Sequence, residues 1–222
     1  MAENFVDLAG TIGAVLLFAF MAAFIVTYSL GLKKNKQLLE KYYTLVNEWV
    51  KTRFKVVDRR VYKFNGFRLK CVSTDIPLER LDVSLYLANR ENPLYYIVSK
   101  AKPRYDVFVC EAYFKARPRF SMEIFNPKKV VLDCSMETVA KIGELEVRAP
   151  GADAVLNLLE DIKEHVESLK DIIIRVSLRS GKPHLIYSFV ANESKLVSAL
   201  SLVEKIGWHF RPVRPRPKFL EG

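Results

Sequence analysis

Three groups of side chains in this chain are of types that could do chemistry. Glu160, Asp161 and Glu164 form a carboxylate cluster, which general acid–base catalysis would need converging on one cleft. Their spacing puts them on the side of a helix opposite Val155, Leu158, Leu159, Ile162, Val166 and Leu169, so they read as solvated charge. His165, His184 and His209 are dispersed, with no second ligand near any of them, and read as structural or solvated. Cys71, Cys110 and Cys134 are odd in number and lack a CxxC pair, which suits a reducing compartment rather than a disulfide framework or a zinc site. Walker A, GxGxxG, HExxH, GxSxG and kinase signatures are absent. Nothing assembles a nucleophile, a base and an orienting group. The expectation is a protein that is not an enzyme and needs no metal or cofactor.

A fourth kind of chemistry is charge. The net charge is +10, and it is uneven. From Lys33 to Val130 there are 22 Lys and Arg against 10 Asp and Glu, whereas from Val131 to Gly222 the counts are 13 and 13. Lys115, Arg117 and Arg119 lie in the run KARPR, followed by Lys128 and Lys129. Arg211, Arg214, Arg216 and Lys218 lie in the tail RPVRPRPK, whose prolines forbid a helix. These nine residues are the candidate phosphate-binding groups. Anionic lipid headgroups and nucleic-acid phosphates are the two natural partners of such a surface.

The elements that position these charges begin with Leu8 to Leu32, 25 positions without a charge. As a helix this run is about 37 Å long, enough to cross a hydrocarbon core of roughly 30 Å. Glu3 and Asp7 precede it, where a signal peptide would be basic. Lys33, Lys34 and Lys36 follow it, so the positive-inside rule puts the N-terminus outside and the domain in the cytosol. Gly10, Gly13, Ala14, Ala19, Ala22 and Ala23 would let a second helix approach closely.

The spacing then predicts an amphipathic connecting helix over 33–54, which either lies on the membrane or packs on the domain. A hairpin follows around Asn65-Gly66, with strands at 61–64 and 67–70. Alternation marks further strands at 81–87, 105–113 and 120–124, with shorter candidates at Val130–Leu132 and Leu145–Val147. Glu91 to Lys100 is ambiguous between helix and strand. Helices are predicted over 153–170 and over 194–206, the latter capped by Asn192 or Ser194 and stopped by Gly207. A second hairpin turns at Ser180-Gly181. The expected class is α+β: a single transmembrane helix (1–32), the connecting helix (33–54), one mixed α/β cytosolic domain (55–210) and a basic Pro-rich tail (211–222).

Three stretches carry a resemblance. TYSLGLKKNKQLLEKYYTLVNEWVKTRFKVV follows the span, LERLDVSLYLANRENPLYYIVSKAKPRYDVFVCEAYF covers two strands and their connection, and IYSFVANESKLVSALSLVEKI is a strand followed by a helix. Together they resemble the calumin-like, coiled-coil-containing subunit of the PAT complex in the multipass translocon. The chain differs from that family in lacking an acidic region before the span and a long C-terminal coiled coil, which suits a compact, archaeal-type relative. The resemblance implies a chaperone or scaffold subunit that assists insertion of multi-spanning proteins at a ribosome–Sec translocon. Its implied partners are ribosomal RNA, an Asterix-like small membrane protein and a YidC-superfamily insertase. The membrane would be the endoplasmic reticulum in a eukaryote or the plasma membrane in a prokaryote. The rival expectation is a membrane-tethered adaptor whose basic domain rests on anionic lipid.

Overall fold

The computed structural model describes residues 2–73, 77–92, 95, 105–132, 135–153 and 155–210, with side chains from residue 11 onward. The basic tail, Cys134 and most of the ambiguous 91–100 segment lie outside the described residues. The first element, α1 (Ala2–Lys51), is a single helix of 50 residues. From residue 11 to residue 30 nearly every side chain is exposed, on all sides of the helix. A soluble core helix would bury one face; this one is long and apolar enough to cross a membrane. The stretches expected as a span and as a connecting helix run together in this one helix. No Pro or Gly interrupts residues 32–51, so the helix that leaves the span runs on without a hinge.

Beyond Leu32 the same helix becomes one-sided. Tyr42, Val46, Trp49 and Val50 are buried at helical spacing, so this half packs on the domain rather than lying on a membrane. The domain is a single nine-stranded sheet: β1 (Lys55–Val61), β2 (Gly66–Val72), β3 (Leu78–Tyr86), β4 (Val107–Phe114), β5 (Met122–Phe125), β6 (Glu137–Ile142), β7 (Leu145–Ala149), β8 (Ile173–Leu178) and β9 (Leu185–Val190). Their order across the sheet is β1-β2-β3-β4-β9-β8-β5-β7-β6, and every pairing is antiparallel. Two further helices, α2 (Leu156–Ser168) and α3 (Leu196–His209), complete the domain.

The α+β class holds in this coarser form, as an apolar helix followed by an antiparallel sheet with two more helices. Several element expectations change. Val130–Leu132 forms no strand, and Val131 is 93% exposed; the strand lies later, at β6. Gly207 does not stop α3 but lies inside it, against Leu78 and Phe114. Neither Asn192 nor Ser194 is the cap residue, although Asn192 Oδ1 accepts the Lys195 N–H at 3.3 Å. A hairpin does join β1 to β2, but its loop covers residues 62–65, so residues 62–64, expected as strand, belong to the turn and Gly66 opens β2. Gly66 has φ 155°, and a Cβ there would run into the Leu85 carbonyl.

Alternation divides the sheet into two chemically different faces. Phe67, Leu69, Leu81, Val83, Phe108, Cys110, Tyr187 and Phe189 face the helices and form the core. Tyr42 meets Phe108 edge-on at 5.5 Å, and Tyr43 meets Phe67 at 5.6 Å. The opposite face carries ion pairs. Arg68 bridges Asp82 at 2.7 Å and Glu111 at 2.9 Å, and Arg175 grips Glu123 through two bonds of 2.9 Å.

Where α1 leaves the apolar span it is clamped. Asn35 is fully buried; its Nδ2 donates to the Ala88 carbonyl at 3.1 Å, and its Oδ1 accepts from Arg90 Nη1 at 3.0 Å. Arg90 in turn holds Asp106 through two bonds of 2.8 Å. One turn earlier, Gly31 lies so close to the Arg90–Glu91 backbone that a methyl group would overlap it. Asn35→Ala leaves one Arg90 donor without a partner and the Ala88 carbonyl with the Arg90 N–H alone, and should cost about 1–3 kcal/mol. Thermal unfolding of the detergent-solubilised chain measures this, and Gly31→Val should destabilise it further.

Candidate functional site

Of the nine basic residues singled out by sequence, the five that are described fall into two groups. Lys115, Arg117 and Arg119 precede β5, and Lys128 and Lys129 follow it, so the strand separates the two groups end to end. The second group is already engaged. Lys128 pairs with Glu144 at 2.6 Å, while Lys129 Nζ donates to the carbonyls of Asp171 and Ile173. Burial lowers the Lys129 pKa from its ordinary value, with Asp171 and Glu144 opposing that shift. This lysine is a half-buried structural donor.

The first group lies where the topology makes its long crossing. β4 and β5 are separated in the sheet by β9 and β8, so residues 115–121 must pass over the end of the β8–β9 hairpin. Arg117, Pro118 and Arg119 therefore line a shallow recess with Ser180 of that hairpin turn. Lys115, Arg117 and Arg119 are exposed, and so are Arg179 and Lys182 in the turn. Arg179 Nε donates to the Pro183 carbonyl at 3.0 Å, and Lys182 pairs with Glu79 at 3.0 Å across solvent. Among the described residues no carboxylate pairs with Arg117 or Arg119. Arg179 and Lys182 were missed by sequence reasoning, which saw a hairpin turn but not the loop crossing it.

The tail is joined to this same end. Phe210, the residue before Arg211, stacks on Phe114 at 5.4 Å and meets Phe120 at 5.7 Å. The tail charges Arg211, Arg214, Arg216 and Lys218 lie outside the described residues.

The height of this end follows from the helices. Lys41 of α1 pairs with Glu193 just before α3, and Arg53 pairs with Glu204 within α3. The two helices therefore run in the same direction away from the span. From Gly31 to Lys51 the rise is about 30 Å, and α3 ends beyond that level. The basic end is the pole of the domain remote from the apolar half of α1.

The other candidate groups are accounted for by packing. Glu160, Asp161 and Glu164 are exposed on α2, as expected, and Asp161 meets His209 at 3.1 Å. His165 Nε2 lies 2.8 Å from the Ser198 carbonyl and ties α2 to α3. Burial pushes the Cys71 thiol up to about 12 and the Cys110 thiol higher still, so both are inert. Among the described residues no His, Cys, Asp and Glu group could hold a metal ion. Within the span Gly13, Ala14, Ala19, Ala22 and Ala23 are exposed. Lys33, Lys34 and Lys36 are exposed around the buried Asn35.

No family model matches the chain, and no curated protein matches it. A solved structure with a distant likeness is the mycobacterial trehalose monomycolate transport factor A, TtfA, with TM-score 0.41 and 10% identity over 76% of this chain and 95% of that one. The resemblance to the calumin-like PAT subunit is thereby overturned. The structural match is to a different protein, and no family match supports the expected one. The three stretches that carried it are explained by common elements: a helix leaving a span, two antiparallel strands with their connection, and a strand running into an amphipathic helix.

His184, buried beneath the basic end, gives this pole a pH dependence. Its Nδ1 accepts the Phe114 N–H at 2.9 Å, which requires a neutral ring. Burial and then Lys182 lower its pKa below the usual 6.5, Glu79 opposes this, and Arg117 adds a smaller lowering. Because the folded value is depressed, the stabilisation is complete above pH 6.5 and is lost as pH falls through the lowered value. His184→Asn keeps an acceptor that does not titrate. Its melting temperature should fall less than that of the unaltered protein between pH 7.5 and pH 5; parallel curves would contradict this assignment.

Proposed function

We propose that this protein is a membrane-anchored, non-enzymatic scaffold that presents a phosphate-binding pole to ribosomal RNA well clear of the bilayer. The domain is on the cytosolic side, with the N-terminus outside, as Lys33, Lys34 and Lys36 after the span favour. The observation that carries the reading is height. A surface about 30 Å from the end of the span is several Debye lengths of roughly 8 Å away, so headgroups of the same membrane hardly act on it. Arg117 and Arg119, beside Arg179 and Lys182 and at the root of the tail, therefore suit a soluble polyanion. Phosphate contacts of this kind fix position rather than read sequence.

The small chaperone, insertase and Sec partners were implied by the discarded resemblance alone and are not carried forward. The rival reading, a basic domain resting on anionic lipid, fits the lysines at the opposite pole and not the KARPR connection.

Ribosome co-sedimentation of the chain in nanodiscs tests the proposal. Binding should fall steeply with salt, by about tenfold or more between low and physiological ionic strength. Arg117→Glu with Arg119→Glu should weaken it and make the salt slope shallower by about two. Lys128→Glu should leave it unchanged. Binding that persists equally in the double variant, or that fails equally in both, would sink the proposed surface.

A further inference from the structure

The pole nearest the span has its own chemistry. Outside the span, five large aromatic side chains are exposed among the described residues: Tyr62, Phe64, Tyr86, Tyr105 and Trp208. Four of them lie at this one end. Phe64 and Tyr62 belong to the β1–β2 turn, whose Asn65 carbonyl accepts the Leu87 N–H at 2.7 Å and whose Asn65 Nδ2 donates to Glu91 at 3.3 Å. Tyr86 ends β3 and stacks on Tyr62, with ring centroids 6.4 Å apart. Tyr105 adjoins Asp106, the partner of Arg90.

These residues are tied to a known level on α1. The Arg90–Glu91 backbone touches Gly31, and Ala88 and Arg90 hold Asn35. The apolar run ends at Leu32, between those two contacts. The aromatic rim therefore lies level with the end of the span, where Tyr28 on the helix is also exposed. Aromatic rings with one polar edge favour this zone of a bilayer, and isolated aromatics on a soluble surface have no such reason to collect there.

Charge points the same way. Lys33, Lys34 and Lys36 are exposed on α1, and Lys63 occupies the turn between Tyr62 and Phe64. Two acidic groups at this level are engaged, Asp106 by Arg90 and Glu91 by Asn65.

We propose that the rim formed by Tyr62, Lys63, Phe64, Tyr86 and Tyr105 is a second membrane contact, seated in the headgroup layer of the bilayer that α1 crosses. The proposal rests on α1 being a membrane span, and it is independent of the partner at the far pole. A turn of one Lys and two aromatics joins an interface only if something holds it there; the Asn35 clamp does so without further ordering cost. Two attachments, one spanning and one interfacial, fix the rotation of the domain about the span.

Tryptophan quenching by brominated lipid tests this with the full chain in vesicles of phosphatidylcholine and phosphatidylglycerol. The native tryptophans form a constant background, since Trp49 is buried in the domain and Trp208 is at the far end of α3. In Phe64→Trp, the added emission should fall by roughly half when bromine sits near the acyl carbonyl end, as expected for side chains about 5–10 Å into the interface. Tyr86→Trp reads the same rim from another strand if Phe64→Trp does not fold. Met21→Trp, within the span, is the control and should be quenched most by bromine deep in the acyl chains. If Met21→Trp is quenched and neither rim variant is, the span stands and the rim contact is overturned. If Met21→Trp is not quenched, the span reading fails and the rim contact with it.

Discussion

The structure depends on one buried polar contact at the point where α1 stops being apolar on all sides. Asn35 is fully enclosed between the Ala88 carbonyl and the Arg90 guanidinium, and Arg90 is itself locked to Asp106. Apolar packing of Tyr42, Val46, Trp49 and Val50 supplies the larger share of the attraction between helix and sheet. It would tolerate a slip by one helical turn far better than Asn35 would. A slip would bury an amide with no partner and press a side chain, instead of Gly31, into the Arg90 backbone. The polar contact therefore sets the register, and the register sets the height of everything else.

The sheet spreads that constraint across the domain. Its helix-facing side is packed by aromatic and aliphatic residues from all three helices. Its other side is stabilised differently, by carboxylates enclosed between arginines. Asp82 has no exposed side-chain surface. Arg68 at 2.7 Å and Arg80 at 3.1 Å enclose it, and Arg80 stacks on the Tyr113 ring at 3.8 Å. Many of the positive charges that look available in the sequence are neutralised on this face.

Much of the local structure was legible. The Leu8–Leu32 run, the β1–β2 hairpin, the alternation of β4 and the stripes of α2 and α3 all follow from periodicity and turn chemistry. The misses have physical causes. The join between span and connecting helix left no mark, because a change from lipid-facing to sheet-facing surroundings needs no helix breaker. At β6 the sequence ETVAKI belongs to an edge strand with little buried surface, so the apolar Val130–Leu132 looked the stronger candidate. Gly207 looked like a stop and proved to be a point of close packing on Leu78 and Phe114. The grouping of Arg117 and Arg119 with Arg179 and Lys182 was not readable at all, since it depends on which strands lie between β4 and β5. The five basic residues near β5 looked like one patch because they are close in sequence; a strand turns such neighbours into opposite ends.

The unbroken α1 makes the molecule a lever. With no hinge between Leu32 and Lys51, any change in the angle of the span is transmitted to the domain undiminished. Helices adjust their tilt to the thickness of the surrounding bilayer, and over an arm of about 30 Å a change of roughly 10° moves the far end by about 5 Å. That displacement is comparable to a helical turn, ample to bring a docking surface into or out of register. Bilayer thickness would thus be reported at the outer pole as a mechanical displacement, without any rearrangement inside the domain.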